Sequence, residues 1–102
     1  MQMVRINGKE YPFLFGYGAL MYLERFTGKP VDEMSGYTGT LFLLFGCLVN
    51  ANEHLDMTFM QFVHALDRDA ELMQEMSLLL NQQMEEWGHK PEQAKDDSKK
   101  KD

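Results

Sequence analysis

A mainly α fold with a small N-terminal β-hairpin, α+β in class, is predicted by three observations. Residues 2–15 alternate as strands do about a central Asn7-Gly8, four later segments at about 17–27, 40–53, 58–67 and 69–87 carry helical apolar spacing, and the last fourteen residues carry neither pattern. The expected architecture is a hairpin packed on a bundle of about four helices, forming a single globular domain of residues 1–88. Residues 89–102, without an aromatic or large aliphatic side chain, are expected to form a disordered charged tail.

The hairpin is fixed by local rules. Asn-Gly is the preferred pair for a two-residue type I′ turn, because both central residues need positive φ. Ile6 then faces Lys9, Arg5 faces Glu10, Val4 faces Tyr11 and Gln2 faces Phe13. Val4, Ile6, Tyr11, Phe13 and Phe15 gather on one face, while Arg5 and Glu10 make a charge pair on the other, worth about 0.2–1 kcal/mol. A two-stranded ribbon does not stand alone in water, so the apolar face must lie on helices.

The first helix places Ala19, Tyr22, Leu23 and Phe26 at i, i+3, i+4 and i+7, widened by Leu20, and Thr27-Gly28 stops it before Pro30. Lys29 to Gly39 reads as a connector with one helical turn around Asp32 to Met34. The second helix, from Thr40, is apolar nearly all round through Leu41, Phe42, Leu43, Leu44, Phe45, Leu48 and Val49, and must be central. Gly46 inside it permits close approach of another backbone, in the monomer core or in an oligomer seam; the hairpin and three further helices favour the core.

Thr58 to Gln61 has the spacing of a capping box, which opens a third helix with Phe59, Phe62, Val63 and Leu66 as its buried stripe. Asp69 is the expected N-cap of the fourth. There Leu72, Met73, Met76, Leu79, Leu80, Met84 and Trp87 span one broad arc, and Leu78 falls on the opposite side.

Composition excludes several function classes. Net charge is −6, and since the last fourteen residues hold five Lys and four acidic groups, residues 1–88 carry −7. Such a body repels phosphate backbones, so no nucleic-acid partner is expected. The longest apolar run, Leu41 to Val49, is too short for a membrane span, so no membrane partner is expected. A lone cysteine, Cys47, and the absence of a leader pattern point to the cytoplasm. A domain this small buries only about 60–65% of its unfolded surface, which favours self-association or a partner.

Catalysis needs a nucleophile with its base, paired carboxylates or a metal set, and none is spaced recognisably here. His54, His64 and His89 lie on different elements, and Asp67, Asp69 and Glu71 lack the glycine and terminal Glu of a calcium loop. Gly16 and Gly18 lack the rest of a phosphate loop. No enzyme, metal or cofactor is expected. Sulfur is the unusual feature: nine Met residues, several in the last two helices. Thioethers fill irregular cores, and they also suit surfaces that accept varied apolar partners. The partner-binding candidates are Met57, Met60, His64, Met73 and Leu78, with an apolar groove expected near the third and fourth helices.

The run Val4-Arg5-Ile6-Asn7-Gly8-Lys9-Glu10-Tyr11 followed by Phe13-Leu14-Phe15-Gly16-Tyr17-Gly18, with Leu55-Asp56-Met57-Thr58-Phe59 and Asp67-Arg68-Asp69-Ala70-Glu71-Leu72, resembles the tail assembly chaperones of long-tailed bacteriophages and prophages. The resemblance covers about residues 3–80 and carries no catalytic residue. It implies a protein of the bacterial host cytoplasm, absent from the mature virion, that coats the apolar tape measure protein and recruits tail tube protein around it. It also implies a frameshifted longer form in many members. Two other classes compete with it. One is a small structural phage protein, a head–tail connector or completion factor; the other is a helical dimeric regulator, which the acidic body disfavours.

Overall fold

Asn7 (φ 54) and Gly8 (φ 82) turn the chain in the positive-φ conformation that the Asn-Gly pair adopts at least cost. The computed structural model describes residues 1–29 and 36–88. Strand β1 (Met3–Ile6) pairs antiparallel with β2 (Lys9–Pro12), in the register Met3 to Pro12, Val4 to Tyr11, Arg5 to Glu10 and Ile6 to Lys9. Four helices follow: α1 (Tyr17–Thr27), α2 (Gly36–Ala51), α3 (Phe59–Arg68) and α4 (Ala70–Gly88). The fold is α+β, mainly helical, with the hairpin laid on the helices.

Val4, Ile6, Tyr11, Phe13 and Phe15 are all buried, in one core with Leu44, Phe45 and Leu48 of α2, Phe62 and Ala65 of α3, and Leu72, Met76 and Leu80 of α4. Aromatic rings link the layers: Phe42 stacks on Phe59 at 4.1 Å, and Phe45 lies 5.4 Å from Phe62. At Gly46 the backbones of α1 and α2 approach closely. A Cβ there would stand 2.9 Å from the Ala19 carbonyl oxygen, so the glycine serves contact within the chain.

The helix ends follow side-chain chemistry. Both bonds of the capping box form: Thr58 Oγ1 accepts from the Gln61 N–H at 3.1 Å, and Gln61 Oε1 from the Thr58 N–H at 2.9 Å. Asp69 Oδ1 accepts from the Glu71 N–H at 3.2 Å and caps α4. Helix α1 stops at Gly28, whose N–H donates to the Glu24 carbonyl.

Several expectations need correction. Helix α2 starts at Gly36, four residues before Thr40, and its first turn is anchored by the buried Gly39 in spite of the low helix propensity of glycine. It ends at Ala51, where the Asn52 amide turns back to donate to the Leu48 and Pro12 carbonyls. Phe26 is 60% exposed, lying against Tyr22 on a helix whose main packing neighbour is α2. On α4 the side chain sealed against the hairpin is Gln83, and Met84 is exposed. The turn expected around Asp32 to Met34 and the tail at 89–102 lie outside the described residues.

Candidate partner-binding surface

The predicted candidates divide into two kinds. Met57 and Met73 are half-buried, and both pack against the core. Met60 (53% exposed) and His64 lie one turn apart on the solvent face of α3, and Leu78 (59% exposed) lies on the outer face of α4. Met57 and His64 line one cavity of about 320 Å³, but its other walls are polar, among them Asn7, Asp56, Gln61 and Arg68. A second recess, of about 440 Å³ between the hairpin tip, α3 and α4, is walled by Arg5, Arg68, Asp69, Glu71 and Glu75. The spaces where the hairpin tip meets α3 and the start of α4 are therefore walled mainly by polar groups.

Two more apolar recesses lie elsewhere, one at the C-terminal end of α4 and one along α1. The larger, about 630 Å³, opens where the chain leaves the hairpin: Phe13, Phe15 and Trp87 line it with Met1 and Leu14, and Gln83 and Glu86 add the polar groups. Trp87 meets Phe15 edge-on at 5.3 Å and Tyr17 at 4.9 Å. A smaller groove of about 370 Å³ follows α1 past Met21, Tyr22, Arg25 and Phe26 to Val49. The sequence held signals for both. Tyr17 and Met21 are spaced i, i+4 off the buried stripe of α1, and Leu14 alternates out of phase with Phe13 and Phe15.

Polar side chains strap the hairpin over these helices. Gln83 is the chief one: its Oε1 accepts from the Phe15 N–H at 2.7 Å, while its Nε2 donates to the Phe13 carbonyl at 3.0 Å and to Gln2 Oε1 at 2.8 Å. At 100° per residue Gln83 falls inside the arc through Leu72, Met76 and Leu80, a polar residue within an apolar stripe. Asn50 donates to the Leu14 carbonyl at 3.0 Å, and Leu14 N–H to the Cys47 carbonyl at 3.2 Å. Arg68 donates to Asn7 Oδ1 at 3.0 Å.

Asp56, in the loop between α2 and α3, fastens the other end. Its two oxygens accept from Lys9 Nζ at 2.6 Å and from the Tyr11 hydroxyl at 2.9 Å. These bonds favour the carboxylate, Lys9 first and Tyr11 next, and hold Asp56 below its ordinary value; the same carboxylate raises Lys9. Tyr11 is raised by burial and then by Asp56. Burial pushes the Cys47 thiol up to about 12, which keeps it protonated and unreactive at neutral pH. Among the described residues, no group of three His, Cys, Asp or Glu is disposed to hold a metal ion, and no helix is long and apolar enough to cross a membrane.

No family model, curated protein or solved structure matches this chain.

Proposed function

We propose that this chain is a non-enzymatic tail assembly chaperone of a long-tailed phage or prophage, which binds the apolar tape measure protein and helps recruit tail tube subunits to it. The observation that carries the reading is an acidic, well-packed domain that leaves Tyr17, Met21, Phe26, Met60 and Leu78 in solvent. A chaperone for an apolar client needs such surface together with charge that keeps the assembly dispersed. The resemblance of residues 3–80 to that family supplies the client's identity. Cys47, the strongest nucleophile by residue type, is sealed in the core, which suits binding better than chemistry. On this reading the protein acts in the host cytoplasm, self-associates and is absent from the finished particle.

The test is co-expression of the full chain with the tape measure protein of the same gene neighbourhood, followed by affinity capture and size-exclusion chromatography with light scattering. A stoichiometric complex that keeps the client dispersed is the expected result. An unaccompanied chain beside an insoluble client would overturn the reading, as would stoichiometric recovery of this chain from purified virions, the mark of a structural connector.

A further inference from the structure

We propose that the outer edge of β1, with the flank of α4 beside it, is the docking site for an extended segment of the client, apolar on one face, which adds to the hairpin as a third strand. The inference rests on the reading that the chain holds an apolar client, and it names the form in which part of that client is held.

Backbone geometry leaves this edge open. About the two-residue turn, Ile6 with Lys9 and Val4 with Tyr11 are the pairs that exchange backbone bonds, and the Phe13 N–H donating to the Gln2 carbonyl at 2.9 Å continues the alternation. The N–H and C=O groups of Met3 and Arg5 therefore point away from β2, and among the described residues none of them has a partner. The outer edge of β2 cannot extend a ladder in the same way, because Pro12 has no N–H and its carbonyl accepts from Asn52 Nδ2 at 3.1 Å. Unpaired strand edges are completed by another strand.

Helix α4 supplies a floor for that strand. It runs antiparallel to β1: Arg5 lines the recess of about 440 Å³ with Glu71, Leu72 and Glu75, and Gln2 bonds Gln83. The helix from Glu75 to Gln83 spans about 12 Å and the strand from Arg5 to Gln2 about 10 Å, so the two match in length. Glu71, Glu75, Leu78 and Gln82, spaced i, i+4, i+7 and i+11, form the stripe that leads away from the recess. Leu78, 59% exposed, falls midway along it. Every second side chain of an added strand faces this floor, so an apolar alternate set is matched. A second copy fits less well, since β1 paired with its own twin would bring two Glu71–Glu75 stripes together across the two-fold axis.

The test follows amide exchange by NMR in the full chain, titrated with a short peptide of alternating Val and Thr that ends in Lys on both sides. In the free chain the Met3 and Arg5 amides should exchange fast and those of Val4 and Ile6 slowly; the peptide should slow Met3 and Arg5 saturably. Ser in place of Val should weaken binding about ten-fold. Backbone N-methylation of the alternate set aimed at the edge should weaken it by about ten-fold or more, and methylation of the other set should not. On the chain, Met3→Pro removes one outward donor and leaves the ladder whole, and Leu78→Asp charges the floor; both, checked for native melting, should weaken binding, and Leu14→Asp should not. Slow exchange of Met3 and Arg5 in the free chain would overturn the proposal, as would equal tolerance of the two methylated peptides or indifference to Met3→Pro. Slowing that grows with protein concentration alone would assign the edge to a second copy and overturn it too. A client complex that forms and ignores Met3→Pro sinks this edge and leaves the chaperone reading intact; no complex sinks that reading, while the peptides still decide whether the edge takes a strand.

Discussion

The hairpin and α1 are held to the same body by opposite means. Beneath the hairpin lie five buried apolar side chains, and side-chain straps from Asn50, Asn52, Asp56, Arg68 and Gln83 reach it from three directions. Helix α1 buries Ala19 and Leu23 against α2, meets it across Gly46 and leaves Tyr17, Met21 and Phe26 in solvent. A two-stranded ribbon has too little surface to hold itself and needs specific ties. A helix satisfies its own backbone, so one close seam is enough, and its other face stays available for partners.

The widest test of this contrast uses one residue type in both places. Phe13→Ala removes a ring with no exposed surface, and a loss of about 3–5 kcal/mol is expected in urea unfolding. Phe26→Ala, at 60% exposure, should cost no more than about 1 kcal/mol. Comparable losses would mean that α1 is sealed by something the monomer does not show.

Next in size is the seam itself. Gly46→Val places a Cβ 2.9 Å from the Ala19 carbonyl oxygen, a backbone atom that moves only if α1 moves. A cost of about 1–3 kcal/mol is expected, with amide exchange accelerated in α1 before the hairpin. Acceleration that starts in the hairpin would reverse the assignment of ties.

How much of this was legible follows from how local each cause is. The turn at Asn7-Gly8, the register it sets, the capping box at Thr58 and the cap at Asp69 depend on neighbours within a few residues, and each appears where the residues place it. The role of Gln83 depends on backbone groups at Phe13 and Phe15 in the other half of the chain, and apolar periodicity passes over it. The recess at Trp87 is likewise made by the meeting of two distant segments, the hairpin exit and the C-terminal end of α4, which a count of methionines does not reveal. Met60 and Leu78 are exposed as single side chains, but no local pattern announces that the recesses at the hairpin tip are walled mainly by polar groups.

Gln83→Leu keeps the volume and removes the strap. The Phe15 N–H and the Phe13 carbonyl lose their partner in a buried setting, with an expected cost of about 1–3 kcal/mol. The loss should appear as faster exchange at Phe15, with the Lys9 to Pro12 strand less affected. A neutral result would show that hydrophobic contact alone seats the segment.

The smallest effect concerns Asp56, which is solvent-exposed together with its ion-pair partner Lys9, and it is read best as pH dependence. Its carboxyl titrates lower folded than unfolded, because Lys9 and then Tyr11 bond the charged form. The stabilisation is therefore complete above the unfolded value of about 4 and is lost as pH falls through the lower folded value. Lys9 has the opposite sign: its raised folded value gives stability that is complete below the unfolded value of about 10.4 and is lost as pH rises through the higher folded value. Melting temperature against pH should then show a plateau between those limits, with Asp56→Asn lowering the plateau slightly and flattening its acid edge. An unchanged acid edge would show that the hairpin is held from the Gln83 side alone, and that the bonds from Lys9 and Tyr11 fix its orientation without adding stability.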